Sequence, residues 1–370
     1  MLLNCHSYHS LRFGTIAIPQ LVSLACTQGH KAAALTDVNT ITGIYEFVKC
    51  CMQNNIKPLV GIDFRTGGRQ HFVGLARSQK GIAEMNRFLT DINLGKGSLP
   101  ERAPAFKYTF VVYPLDNFPG SLRENEFIGI RPEQINLLYR QDLKKVEEKM
   151  VVLSPVTISS EREFQLHRVL RAIDNNTLLS KLDHSDCCRP EDQIRHPDKL
   201  KEIFQYHPKV LENTLMLVED CNFEFDFSVA RNKKYFTGSR ESDLRLLTRL
   251  AFDGMTRRYG NDPEAERRIK KELKVIDELG FSGYFLITWD IVRYSNSLGL
   301  MHVGRGSGAN SIVSYCIGIT DVCPIELDLY FERFLNVNRK SPPDFDIDWS
   351  WQDRDTILRY IFDKYGADHV

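Results

Sequence analysis

Across the first sixty residues, short apolar runs alternate with amphipathic stretches, and this alternation restricts the fold more than any other feature of the chain. Residues 1–5 read as a strand, 19–27 as a helix, 32–35 as a strand ending at Thr36-Asp37, 44–54 as a helix and 58–64 as a strand. Repeated strand–helix units call for a parallel sheet or barrel with helices outside, because a parallel neighbour requires a long crossover. Residues 71–76 are a further strand and 81–93 a further helix. The pattern weakens through the loop-rich stretches 95–104 and 114–120. It returns with a strand at 150–153 and a helix at 161–173, the last unit of the same domain.

A chain of 370 residues is too long for one ordinary core, so two or more domains are expected. Short helical pieces punctuated by Pro197 and Pro208 lead into an irregular stretch at 222–234, which places a junction near residue 225 and divides the chain into 1–225 and 226–370. Helices are expected beyond it at 241–259 and 263–279, the second with Ile269, Leu273, Ile276 and Leu279 on one stripe.

Lys plus Arg and Asp plus Glu both number 48, so no global charge argues for a polyanionic partner. The locally basic stretch 257–274 is a candidate to lie along phosphates, but it interleaves its bases with Glu264, Glu266 and Glu272, the pattern of a solvated helix face, which is the favoured reading. Nine cysteines without paired CxxC spacing form neither a zinc ribbon nor a disulfide framework. With no long apolar run, the chain fits a reducing cytoplasm and no membrane.

Two segments carry chemistry. The first, HVGRGSGANS at 302–311, sets three glycines ahead of an apolar helical run. Its backbone can approach a triphosphate while the N–H groups of the helix's first turn point at it, although close packing calls for the same residues. The second is PPDFDIDW at 342–349. As a strand it puts Asp344, Asp346 and Asp348 on one face and Phe345, Ile347 and Trp349 against a core. Carboxylates about 7 Å apart suit two Mg²⁺ ions with water and phosphate as the remaining ligands. The Gly and distal Glu of an EF-hand are absent, and an exposed edge strand would not need three large apolar residues behind it. Arg305, Arg333 and Arg339 are candidate phosphate binders, with an ion pair to Glu332 or Asp328 as the competing role of Arg333.

These residues resemble the bacterial DNA polymerase III alpha subunits, the family C polymerases, almost continuously from GYFLI at 283–287 to Tyr365-Gly366. The resemblance implies an α/β fold: a distorted barrel of the polymerase and histidinol phosphatase (PHP) type, then an α+β nucleotidyltransferase-like palm, incomplete at its C-terminal end. It implies that Gly306 and Ser307 seat the incoming nucleotide, that Asp344 and Asp346 hold two Mg²⁺ ions once the palm is whole, and that Asp348 supports them. A third metal-binding Asp would lie beyond Val370. Implied partners are primer-template DNA, deoxynucleoside triphosphates, a sliding clamp and a proofreading subunit.

The landmarks NIKPLVGIDF at 55–64 and Leu35-Thr36-Asp37 resemble the PHP domain, whose active members bind up to three metals. Here the ligand set is worn: the HxH pair reads Asn4-Cys5-His6, the His after Thr-Asp is Val38, and the late Asp-x-His reads Pro155-Val156-Thr157. His6 and Asp63 remain, too few for a catalytic cluster. His9, His71 and His167 lack ligand spacing and read as hydrogen-bonded structural histidines. The expectation is a DNA-directed DNA polymerase whose fragment is inactive alone, with a PHP phosphoesterase or 3′-5′ exonuclease, or a non-catalytic DNA-binding scaffold, as the alternatives.

Overall fold

The computed structural model describes residues 2–227, 234–339 and 341–366, apart from the side chain of Asp142. The chain divides into two compact units, Met1–Asp226 and Phe227–Val370.

The first unit runs β1 (Leu2–Cys5), α1 (Ile18–Thr27), β2 (Ala32–Leu35), α2 (Ile44–Gln53), β3 (Lys57–Thr66), β4 (Arg69–Ala76), α3 (Gln79–Asn93), β5 (Thr109–Pro114), β6 (Glu126–Ile130), α4 (Gln141–Lys144), β7 (Met150–Val152), β8 (Pro155–Val156), α5 (Glu161–Asp174), α6 (Pro197–Ile203) and α7 (Pro208–Asp220). Its eight strands form one sheet in the order β7-β6-β5-β4-β3-β2-β1-β8. The two edge strands are consecutive in sequence, separated by Leu153 and Ser154 alone. A flat eight-stranded sheet would be about 34 Å wide, whereas three residue steps reach about 10 Å. The sheet therefore curls until its edges nearly meet, giving a distorted barrel.

Two features depart from the simple strand–helix expectation. Strand β4 is antiparallel to both β3 and β5. The cause is the Gly67-Gly68 link after Thr66, too short for a crossover and suited to a hairpin, with Gly67 at φ 56°. Strands β5 and β6 also arise beside the stretches read as loop-rich, and pair in parallel without an α-helix between them.

On β3 the side chains alternate in register with the two layers. Val60, Ile62 and Phe64 pack with Leu21 of α1, Phe47 of α2 and Met85 of α3, whereas Leu59 faces Leu3, Ala34, Leu75, Val112 and Leu153. Asp63 shares the face of Leu59 and so projects inward near the carboxyl end of the strand.

The second unit runs α8 (Arg240–Tyr259), α9 (Pro263–Glu278), α10 (Ser282–Ser297), β9 (His302–Arg305), α11 (Ile312–Cys316), β10 (Asp346–Trp349) and α12 (Arg354–Tyr365). Ser239 and Asp262 cap α8 and α9 through side-chain oxygens. Leu247 and Ala251 of α8, Ile269, Leu273 and Ile276 of α9, Phe285 of α10 and Val313 of α11 form the core, with Leu279 at its margin. Two strands, β9 and β10, make an antiparallel ribbon beside it. Among the described residues no helix is long and apolar enough to cross a membrane.

Gly61 tests the barrel packing, because a Cβ there would lie 2.1 Å from the Gly74 carbonyl oxygen and 2.9 Å from Thr36 Cγ2. Gly61→Ala should destabilise the first unit by about 1–3 kcal/mol in denaturant unfolding; an unchanged midpoint would contradict this packing.

Candidate active site

The β9–β10 ribbon brings the two chemical segments together. Its register places Asp346 opposite Arg305, Ile347 opposite Gly304, Asp348 opposite Val303 and Trp349 opposite His302. The apolar members of the alternation are anchored. Phe345 packs edge-on against Phe285 and Phe334 at centroid distances of 5.0 and 5.2 Å, Ile347 joins the same core, and Trp349 Nε1 donates to Ser295 Oγ at 2.7 Å. The side chains of Asp346 and Asp348 are consequently left 52% and 56% exposed. Asp344 lies outside the strand, which begins at Asp346, in an extended segment with its side chain 75% exposed.

The glycine turn fits against this strand by close approach. Gly306 has φ 72°, and a Cβ on it would meet Asp346 Oδ2 at 2.7 Å; one on Gly308 would meet the Phe345 ring at 3.0 Å. Ser307 is half-buried, and its carbonyl accepts a hydrogen bond from Asn310 Nδ2. The expected role of the helix N-terminus is corrected. The carboxylate of Glu272, fully buried on α9, accepts from Ile312 N, Val313 N and Ser311 Oγ at 3.1, 3.2 and 2.7 Å, and Ser311 Oγ accepts from Ser314 N. An internal acid thus fills the end of α11, and because Gly308, Ala309 and Asn310 are buried, Gly306 and Ser307 are the part of the 306–310 turn open to an anion. Burial pushes the Glu272 pKa up to about 7 against the opposing pull of these donors.

The three arginines take different positions. Arg305 bridges the ribbon acids, its Nε donating to Asp348 at 2.7 Å and an Nη lying 3.5 Å from Asp346. Arg339 donates to the carbonyls of Phe334 and Pro342 and to Asp344 at 2.9 Å, which makes it a clasp on the loop. Arg333 is exposed and takes neither expected ion pair; Glu332 pairs with Lys271 instead, at 2.6 Å. Among the bases of 257–274, Arg267 and Lys270 pair with Glu264 and Glu266, as an interleaved helix face requires.

Helix α10 fixes the far end of the ribbon. Its buried Asp290 accepts from Lys364, Tyr360, Tyr365 and Arg293 at 2.6 to 3.1 Å, and Tyr294 stacks on Tyr360 with centroids 3.7 Å apart. The sequence pattern placed Glu272 on a solvated helix face, which its burial corrects, and Asp290 was passed over. Glu272 carried a signal, because it falls between Ile269, Leu273 and Ile276 on the apolar stripe of α9.

In the first unit the worn ligand positions converge at the carboxyl ends of the parallel strands. Asp63 Oδ2 accepts from His6 Nε2, Arg65 Nε and Gln70 Nε2, each at 2.9 Å, and from Asn4 Nδ2 at 3.3 Å. Thr157 Oγ1 and His6 Nδ1 share a hydrogen bond at 2.9 Å, which occupies the second ring nitrogen. Val38 packs with Phe13 and Ile158, and Pro155 pairs with Asn4 in the sheet. Burial pushes the Asp63 carboxyl up, but Arg65, His6 and Gln70 outweigh it and hold it well below the usual range. Asn4 Oδ1 and Asp63 Oδ1 find no donor among the described residues. With a guanidinium on the acid and both His6 nitrogens engaged, these residues do not fit a catalytic metal cluster.

The other histidines sit in hydrogen-bonded or packed positions. His167 Nδ1 donates to the Phe13 carbonyl at 2.6 Å, Nε2 accepts from Cys188 N, and burial pushes its pKa down to about 4. His71 meets Thr66 Oγ1 at 3.0 Å, whereas His9 departs from the hydrogen-bonded expectation: its Nε2 has no hydrogen-bond partner among the described residues and lies 3.8 Å from Glu46. Among the described residues no three His, Cys, Asp or Glu side chains form a metal cage by themselves.

A family model described as the bacterial DNA polymerase III alpha NTPase domain matches residues 245–370, and one described as the PHP domain matches residues 3–160. An error-prone DNA polymerase of Symbiobacterium thermophilum is 30% identical across 100% of this chain and 38% of its own length. The DNA polymerase III subunit alpha of Bacillus subtilis is 30% identical and that of Escherichia coli K12 27%, each across 100% of this chain and 36% of its own length. The chain is a relative of the bacterial DNA polymerase III alpha subunits. It spans a little over a third of the length of these relatives, and joins a PHP-type α/β barrel to an α+β unit.

The Arg65–Asp63 pair is testable by stability. Arg65→Met should strand a buried carboxylate and cost roughly 3–5 kcal/mol, while EDTA should leave the wild-type unfolding midpoint unchanged. Since the native pKa of Asp63 is depressed, its contribution is present above the unfolded value of about 3.9 and is lost as pH falls. The stability gap between wild type and Asp63→Asn should therefore narrow below about pH 4; a gap that widens, or a midpoint lowered by EDTA, would refute this reading.

Proposed function

We propose that the second unit supplies the first part of a two-metal nucleotidyl-transfer centre, and that the whole protein is a DNA-directed DNA polymerase acting in replication. The observation that carries this reading is the contact of Gly306 with Asp346: a turn open to phosphates lies directly against exposed carboxylates of one strand face. The donor chemistry fits Mg²⁺, which takes one or two carboxylates and completes its shell with water and substrate phosphates. Bound there, such ions would favour ionisation of a primer 3′-hydroxyl and neutralise the departing pyrophosphate.

The chain's own residues have distinct tasks in this proposal. Asp344 and Asp346 hold metal, Asp348 orients Arg305, and Gly306 and Ser307 seat the triphosphate. Arg339 positions Asp344, a change from its expected phosphate contact, because its other donors are taken by backbone carbonyls. Arg333 remains exposed for a phosphate. The primer 3′-oxygen attacks the α-phosphorus of a deoxynucleoside triphosphate, the bond to the β-phosphate oxygen breaks, and pyrophosphate leaves. Primer-template DNA, a sliding clamp and a proofreading subunit are the partners this reading proposes. The barrel serves as a metal-free structural domain, with Arg65 neutralising Asp63.

Protein extending past Val370 to include the remaining palm should elongate a primer with Mg²⁺. Asp346→Asn should lower that rate about 100-fold or more without changing the unfolding midpoint. Elongation at the wild-type rate would refute the role of the ribbon.

A further inference from the structure

We propose that Arg305 is a resident cation of the acidic ribbon: a divalent metal can settle on Asp346 only as Arg305 releases it, and the freed guanidinium then grips the phosphates of the nucleotide. This rests on the reading of the ribbon as a nucleotidyl-transfer centre and adds a coupling between its two ligands.

The register puts Arg305 directly across from Asp346, and its guanidinium spans Asp346 and Asp348 at 3.5 and 2.7 Å. Two carboxylates on one strand face repel each other unless a cation lies between them, and the bridging guanidinium meets that need. A divalent ion on the same oxygens would face a positive charge a few ångströms away, so the two cations compete.

Arg339 is differently placed, because backbone carbonyls at Phe334 and Pro342 hold it whatever happens at Asp344. Arg305 has carboxylates as its side-chain partners and is 59% exposed. Such a pair is weak and screened by salt, which suits a contact that must be broken. Its next residue is Gly306, at φ 72°, the start of the turn open to phosphates. A guanidinium released there can pair with phosphate oxygens in a bidentate fashion. Each ligand thereby favours the other: metal frees the arginine for nucleotide, and nucleotide draws it off the metal's oxygens.

The test uses this chain and Mn²⁺ as the metal probe, with free Mn²⁺ followed by electron paramagnetic resonance at low salt. Arg305→Gln should bind Mn²⁺ about 3-fold or more tightly than wild type, with the difference shrinking at high ionic strength. With Mn²⁺ present, the same variant should bind dATP about 10-fold more weakly. Arg267→Gln loses the same charge on the exposed face of α9, where Arg267 pairs with Glu264, and should leave Mn²⁺ affinity within about twofold. Equal tightening by Arg267→Gln, or unchanged or weaker Mn²⁺ binding by Arg305→Gln, would overturn the coupling while leaving the ribbon as a metal site. Mn²⁺ binding that survives Asp346→Asn would overturn both.

Discussion

The site depends on one backbone pairing, the antiparallel register of β9 with β10 that sets Arg305 across from Asp346 and carries the chain straight into Gly306. A shift of that register by one residue would turn the acids toward the core and Phe345 and Ile347 toward solvent. Several contacts resist such a slip at once: the Phe345 ring between Phe285 and Phe334, the Trp349 bond to Ser295, and the fit of Gly306 and Gly308 against the strand. The exposed carboxylates are thus held by buried neighbours, which lets a polar surface keep a fixed geometry without being rigid itself.

Buried acids do the supporting work in the second unit. Glu272 ties α9 to the start of α11, and Asp290 ties α10 to α12 through three side-chain donors, with Arg293 of its own helix as a fourth. Each is isolated from water and fully engaged, the condition under which a buried carboxylate specifies structure rather than weakening it. The barrel shows the same logic in another form. Asp63, surrounded by His6, Arg65, Gln70 and Asn4, has traded any cationic ligand for an internal guanidinium.

Much of this was legible in the chain. The strands at 2–5, 32–35 and 57–66 follow from bounded apolar runs, and strict alternation in DFDIDW gives the face of Asp346 and Asp348. The antiparallel β4 was also written there, in the Gly67-Gly68 pair, but a strand–helix rhythm read on either side of it hides a hairpin. Strands β5 and β6 escaped because each is a short apolar run among loop residues, with no helix between them to complete the pattern. The occupation of the α11 N-terminus by Glu272 lay beyond local reading, since the acid comes from 40 residues upstream of Ile312 and meets it through tertiary packing.

The most direct test is anomalous diffraction from crystals of the protein grown with Mn²⁺ and a deoxynucleoside triphosphate. The account predicts a peak about 2.1 Å from a carboxylate oxygen of Asp346, with the triphosphate against the turn that begins at Gly306. Manganese beside Asp63 in the barrel, with none at Asp346, would contradict it.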